Sequence, residues 1–431
     1  MLDNEESNVA ASPQIISITA LLQRMWPSPS DGNVTAAEIA QALSYLFDNQ
    51  LSPVQAGALL TCLHFTKWEL RADVLAACAL SMRDASLKVD HESLSTVVSG
   101  KHKIRDTNNQ YRGGLCDIVG TGGDSHNTFN ISTASSILAS ALLQIAKHGN
   151  RASTSKSGSA DVIQSMLPTA PNLKNVTPKN ICKIYENTNY AFISAPNFHP
   201  GMRFVAPVRK ELGWRTIFNL LGPLTNPVEQ LLEARVLGVA RKEIGPLYAE
   251  VLKIQGVQKA LVVCGEENLD EISCAGKTYC WKLSSSSSHR HEDLSNSSSK
   301  INEDALGIES FLLEPADFGL PSHPLVNVSP GKEPKENANI LLKLLQNQLA
   351  PDDPILHFVL MNTSALFVIS GVCEADASKM GKDDDGIVIT ERGPGGGRWK
   401  EGVRRARWAI ESGEAWRQWN YFVEVSNSFN S

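Results

Sequence analysis

At Leu115 the spacing of apolar residues changes, and that change constrains the fold more than any other feature of the 431-residue chain. Upstream, apolar positions recur at helical intervals. Thr35-Ala-Ala-Glu38 reads as a capping box, in which a hydroxyl and a carboxylate three residues apart satisfy orphan backbone amides, and Ile39, Leu43, Leu46 and Phe47 follow on one face. Ser52-Pro53 starts a second helix with proline at the first helical position, where its missing N–H is no loss, and leads into Ala58, Leu59, Leu60 and Leu63. Leu70 to Met82 continues as Ala- and Leu-rich helix. Downstream, short apolar runs alternate with glycine turns and helical stretches, the pattern of parallel strands joined by crossover helices. The runs 115–119, 143–147, 191–194, 236–240 and 260–264 are expected strands, and 132–141, 246–254 and 356–369 expected helices. The chain thus reads as an α/β protein with a separate all-helical N-terminal domain. That domain spans residues 1–105, joined by part of 175–215, and the α/β domain spans 110–431. A serine-rich tract at 284–304 and an Asp- and Gly-rich stretch at 373–397 are expected to be surface insertions, disordered or nearly so.

Composition narrows the function classes. With 42% hydrophobic and 20% charged residues the chain can bury a full core without staples. A net charge of −6 without a basic stripe argues against a nucleic-acid partner. The eight cysteines show no C-x-x-C pair and sit mostly among apolar neighbours, as reduced core residues do. Asp3, Glu5 and Glu6 occupy the place of a signal peptide's basic region, and no run reaches the roughly 18 apolar residues of a membrane helix. A cytoplasmic enzyme without membrane contact is the expectation.

The chemistry concentrates at strand ends. Gly120-Thr-Gly-Gly-Asp124 follows an expected strand, and Asn130-Ile-Ser-Thr133 opens the next helix. Glycines let a backbone turn tightly towards an anion, while exposed amides and the positive end of the helix dipole attract it. Ser132 and Thr133 add hydroxyl donors or a hydroxyl ligand for a metal. Asp124 does not suit a simple anion hole unless it accepts from a sugar hydroxyl, an amide or a cation. Lys147-His-Gly-Asn-Arg151 ends a second strand, and Ser153, Thr154, Ser155, Ser157 and Ser159 follow. Five hydroxyls bracketed by two cations suit either a second anion site or a polar loop that caps the helix at 157–161. By themselves Asp270-Glu271 reads more readily as a solvated turn or helix start than as a metal-binding pair, and Arg209 more readily as a surface arginine than as a carboxylate fork.

These four stretches, together with Gly222-Pro-Leu-Thr-Asn-Pro227, resemble in order and spacing the anthranilate phosphoribosyltransferase family. The resemblance is strong over 115–273, weaker in the helical start and at 356–369, and leaves out both insertions. It implies a nucleoside phosphorylase- and phosphoribosyltransferase-like two-domain architecture with substrates meeting in the cleft, and a homodimer paired through its helical domain. It implies transfer of the phosphoribosyl group of 5-phosphoribosyl-1-pyrophosphate to the amine of anthranilate, in tryptophan biosynthesis. The donor would be held by Gly120, Gly123, Asp124, Thr128, Asn130, Ser132, Thr133, Lys147, Ser155 and Ser159. The acceptor would meet Gly120, His148, Asn150, His199 and Arg209, and two Mg2+ ions would sit on Ser132, Asp270 and Glu271. One departure is Asn268, where relatives carry glycine; asparagine tolerates a positive φ better than most residues, so the turn is expected to survive.

Overall fold

The computed structural model describes residues 14–26, 34–102, 109–152, 157–285, 306–329 and 333–429. Ser155 and the serine-rich tract from 286 to 304 lie outside the described residues. Two compact units emerge, the first from Met1–Ser86 with His199–Phe218, the second from Leu87–Phe198 with Asn219–Ser431.

The first unit is helical: α1 (Thr19–Met25), α2 (Ala36–Phe47), α3 (Pro53–Phe65), α4 (Ala72–Asp84) and, after a long excursion of the chain, α10 (Met202–Leu212). The capping box is formed, with Thr35 Oγ1 accepting from the Glu38 N–H at 3.2 Å and Glu38 Oε2 accepting from the Thr35 N–H at 2.9 Å. Ser52 likewise accepts from the Gln55 N–H. Ile39, Leu43, Leu59, Leu60, Leu63, Val74 and Leu75 are fully buried and form the unit's core.

The second unit is built on a seven-stranded sheet of β1 (Leu115–Gly120), β2 (Gln144–Gly149), β3 (Tyr190–Ser194), β4 (Leu232–Gly238), β5 (Ala260–Gly265), β6 (Thr278–Ser285) and β7 (Leu306–Leu313). The strand order is β3-β2-β1-β4-β5-β6-β7. The first five in that order are parallel, and β6 and β7 pair antiparallel at one side. The helices are α5 (His91–His102), α6 (Ile131–Ala139), α7 (Ser159–Gln164), α8 (Ile181–Asn187), the short α9 (Ala195–Phe198) and α11 (Phe218–Leu221), α12 (Gly245–Ile254), α13 (Pro334–Leu345), α14 (Pro354–Ser370), α15 (Trp399–Glu411) and α16 (Glu414–Ser428). Every residue of α14 from Ile355 to Ser370 is buried, as a helix apolar all round must be, and it packs on α6, α15 and β4.

Three differences from the sequence reading have physical reasons. The helical unit's first segment ends at Ser86 rather than near 105, because α5 packs against α8 of the sheet unit; the later segment that joins it, His199–Phe218, falls largely within the expected 175–215. The β6–β7 hairpin was not expected, since its two strands flank the serine-rich tract and neither shows a clean alternation. The stretch 373–397 is ordered. Arg398 Nη1 donates to the Cys373 and Ala375 carbonyls, Arg392 pairs with Glu374, and Arg404 pairs with Asp384 and Asp385. Trp399 Nε1 and Trp408 Nε1 donate to the carbonyls of Pro394 and Lys382. The partners that order this polar strap lie mostly in and just before α15, outside the stretch whose composition suggested disorder.

The α14–α15 crossing depends on Gly402, where an added Cβ would lie 2.9 Å from the Ser364 Cα. Gly402→Ala should therefore destabilise the fold by about 1–3 kcal/mol through overpacking. Urea unfolding measures it, and an unchanged midpoint would show that the crossing has slack.

Candidate active site

Two strands end in glycine beneath one acidic loop. β1 ends at Gly120 and β4 at Gly238, and the loop after β5 folds over both. A Cβ on Gly120 would lie 2.9 Å from the Asp270 Cγ, and one on Gly238 would fall on the Asp270 carbonyl. Only glycine permits that approach. The Gly122 N–H donates to Asp270 Oδ2 at 2.6 Å, and the Thr121 N–H to the Gly238 carbonyl at 3.0 Å. Gly122 and Gly123 have φ of +67° and +78°, and Ser125 and Asn127 also enter the left-handed region. A tie across the loops is His126, whose Nε2 lies 2.7 Å from the Glu267 carbonyl while its backbone N–H donates to Asp124 Oδ1 at 3.2 Å. Asn268 takes φ of +61° and its N–H donates to the Gly265 carbonyl, so the turn survives the loss of glycine.

Negative charge gathers where α6 begins. Asn130 is its N-cap residue, and Glu271 accepts from the Ser132 N–H. Burial, with the Asp124 carboxylate adding to it, pushes Asp270 up to about 7 against the pull of the Gly122 amide. Burial and then the Asp270 and Asp124 charges hold Glu271 well above the usual carboxylate range, with Lys147 opposing. Lys147, buried on β2, is drawn below its ordinary value by burial, while Asp117, Glu271 and Asp270 oppose that shift. Its Nζ donates to the His148 carbonyl at 3.2 Å. Asp117, buried on β1, accepts from the His148 N–H at 3.3 Å and from Asn226 Nδ2 at 3.0 Å. Asn226, from the Gly222–Pro227 stretch, also donates to the Ala146 carbonyl at 2.9 Å, tying β1 to β2 directly below the cradle.

The second loop is tied to the first. Thr133 Oγ1 donates to Ser159 Oγ at 2.9 Å, and Asn130 Nδ2 to the Ser157 carbonyl at 3.1 Å. Asn337 Nδ2, from α13, donates to Asn130 Oδ1. Asp161 accepts from the Ala152 and Gly158 amides, so the loop does cap a helix. Of the sequence-predicted residues, Gly120, Asp124, Asn130, Ser132, Thr133, Lys147, His148, Ser159, Asp270 and Glu271 gather at the C-terminal ends of β1, β2 and β5 and the start of α6. Gly123 and half-buried Thr128 lie on the connecting loop, and Asn150 is exposed just past β2. His199 and Arg209 belong to the helical unit. Within it His199 is buried, and the half-buried Arg209 guanidinium stands 5.6 Å from the Phe218 ring centroid. Burial lowers the Arg209 pKa from its ordinary value. The sequence reading passed over Asp117, His126, Asn226 and Asn337. Asp117 had a signal, a lone acid inside an apolar strand; Asn337 had none, standing about 200 residues from its partners.

The donor set fits magnesium. Asp124, Asp270 and Glu271 offer oxygen only, and their mutual repulsion is what a cation relieves. Among the described residues no three His, Cys, Asp or Glu side chains form a ready cage.

Known proteins match this chain over most of its length. Residues 19–86 match the helical bundle domain of a glycosyl transferase family, and residues 112–416 match its a/b domain. Anthranilate phosphoribosyltransferase of Schizosaccharomyces pombe is 39% identical over 386 residues, covering 89% of this chain and 91% of that protein. The Saccharomyces cerevisiae enzyme, solved in complex with PRPP and Mg, superposes with a TM-score of 0.73 at 30% identity, covering 95% of this chain and 98% of the other. The same yeast enzyme with 4-fluoroanthranilate gives 0.73 at 28% identity, covering 95% and 97%.

An unfolded carboxyl releases its proton near pH 4, but Asp270 keeps its own up to about 7. Between those values the folded state binds more protons, so stability without magnesium falls as pH rises through this window. Asp270→Asn should flatten that fall. Urea midpoints in EDTA from about pH 5 to about pH 8 read it; a slope unaltered by the substitution would remove Asp270 from the buried acids.

Proposed function

This chain belongs to the anthranilate phosphoribosyltransferase family, and from that premise we propose how its residues divide the work of the reaction. The phosphoribosyl group passes from 5-phosphoribosyl-1-pyrophosphate to anthranilate. A bond forms between the anthranilate nitrogen and C1 of the ribose as the C1–O bond to pyrophosphate breaks, and the amine gives up a proton. An arylamine is neutral at pH 7 and needs little activation. The difficult part is the departing pyrophosphate and the cationic ribosyl centre, so preorganised charge should dominate.

The observation that carries the assignment is the Asp270–Glu271 pair pressed onto the glycine cradle beside Asp124. The amides of Gly122 to Asp124, the hydroxyls of Ser132, Thr133, Ser155 and Ser159, and the Lys147 ammonium take the donor's phosphates, with Gly120, Thr128 and Asn130 shaping the pocket. Asp270, Glu271 and the Ser132 hydroxyl hold two magnesium ions. Magnesium, when bound, supplies positive charge to the leaving pyrophosphate. Arg209 forks the anthranilate carboxylate, and His148, Asn150 and His199 line the acceptor's path. The product feeds tryptophan biosynthesis in the cytoplasm; the described residues contain no helix long and apolar enough to cross a membrane.

The chain works as a homodimer. Its helical unit presents an apolar groove of about 430 Å³ lined by Leu22, Trp26, Ala58 and Phe65, with Trp26 and Phe65 each more than half exposed. A second copy would cover a patch of this kind, which monomers rarely leave open.

Anthranilate fluorescence should fall only when protein, 5-phosphoribosyl-1-pyrophosphate and magnesium are all present. Arg209→Ala should raise KM for anthranilate by the equivalent of about 1.5–3 kcal/mol, the worth of a charged hydrogen bond, and leave KM for the donor nearly unchanged. An unaltered anthranilate KM would take Arg209 out of the site. Light scattering should give twice the chain mass, with Phe65→Glu shifting it to the monomer; a wild-type monomer would overturn the dimer.

A further inference from the structure

The glycine cradle passes through strained backbone before α6 begins. Ser125 and Asn127 lie in the left-handed region, at φ of +72° and +51°, with His126 between them. Neither is glycine, so each conformation persists only where the surroundings hold it. One end of the loop is fixed by the Thr121 and Gly122 amides, on the Gly238 carbonyl and Asp270 Oδ2, and the other by the Phe129 N–H on the Val328 carbonyl at 2.9 Å. From Ser125 to Thr128, the ties to other segments among the described residues are those of His126. Its ring Nε2 lies 2.7 Å from the Glu267 carbonyl, and its own carbonyl accepts from Ser329 Oγ at 3.4 Å. A carbonyl has no proton to give, so Nε2 is the donor.

The loop's two attachments to the acidic turn differ in kind. Gly122 is bonded to the Asp270 carboxylate, which the reaction proposed above commits to magnesium. His126 is bonded to a main-chain carbonyl that has no part in holding the ion. That carbonyl is firmly seated. The turn around it closes through the Asn268 N–H on the Gly265 carbonyl at 2.9 Å and the Gly265 N–H on the Leu269 carbonyl at 2.8 Å, and the Glu267 carboxylate accepts from Ser273 Oγ at 3.2 Å. His126 itself is half-buried rather than sealed in a core, so the fold can tolerate its replacement.

We propose that His126 is a positioning residue for the phosphoribosyl donor: its ring clips the cradle to the acidic turn and keeps the phosphate-binding amides in place when Asp270 turns to a cation. This role rests on the donor site assigned above. A loop that is already held need not be ordered by the ligand, so the clip acts on donor affinity and leaves that of the acceptor unchanged.

Two measurements on the full chain test this. Calorimetric titration with 5-phosphoribosyl-1-pyrophosphate and magnesium, without anthranilate, reads donor affinity, and amide hydrogen exchange over residues 120–130 of the unliganded chain reads the loop itself. His126→Leu fills similar space without a hydrogen-bond donor. It should weaken donor binding by about fivefold, the worth of one hydrogen bond, and speed exchange in the loop by a similar factor, with KM for anthranilate nearly unchanged. His126→Gln, whose side-chain N–H can reach the same carbonyl, should restore both. Donor affinity or loop exchange unaltered in His126→Leu would overturn the proposal. So would equal loss in the two variants, since the imidazole would then act through another contact, or an anthranilate KM that rises as far as the donor Kd, the mark of a general distortion. A wild-type chain that binds no donor would bring down the donor site and this role with it; donor bound with an unaltered loop would bring down the clip alone.

Discussion

The contact of Asp270 with the glycine ends of β1 and β4 is the constraint from which the rest of the site follows. With Gly120 and Gly238 bare of side chains, the loop after β5 settles onto the strand ends and its carboxylate reaches the Gly122 amide. That seat places Asp270 close to Asp124 and Glu271 in a half-dry corner, where the Asp124 charge raises the cost of ionising Asp270 and both raise that of ionising Glu271. Two backbone amides and a buried lysine offset the cost in part. The remainder is a standing demand for positive charge, of the kind that concentrates at functional sites because nothing structural requires it.

Topology explains why this corner exists. From β1 the chain turns to β2 and β3 on one side, while β4 and β5 lie on the other, so the connections leave β1 in opposite directions. Crevices in parallel sheets open at the carboxyl ends of strands where the order reverses. Gly120 and Gly238 stand at the ends of the two strands that flank this one.

What could be read in the sequence was local. The five parallel strands, the capping box at Thr35 and the glycine cradle each carry their signal within about ten residues, the reach of periodicity and turn chemistry. The features missed depend on distant partners. The strap at 373–397 looks disordered by composition because the groups that hold it, Arg398, Trp399, Arg404 and Trp408, come later in the chain. The β6–β7 hairpin is split by a tract that hides its pairing, and the unit boundary depends on which core α5 packs into. At the site, the motif residues were legible but not their supports: Asn337 is joined to Asn130 across 207 residues, and His126 to Glu267 across 141.

The buried charges below the cradle show how the fold keeps a cation available. Asp117 and Lys147 lie on adjacent strands, and a direct ion pair would be the ordinary way to bury both. The structure does otherwise. Both Asp117 oxygens are already engaged, one by the His148 N–H and the other by Asn226, and the Lys147 ammonium bonds to the His148 carbonyl instead. Asp117 therefore steadies the lysine through its field rather than by contact, as it opposes the lowering that burial imposes. A lysine locked onto a carboxylate would have to break that pair to meet a phosphate. One held by a carbonyl and a remote charge is not locked in this way, which suits the phosphate contact proposed for Lys147, and Asn226, which looks purely structural, is what makes that arrangement possible.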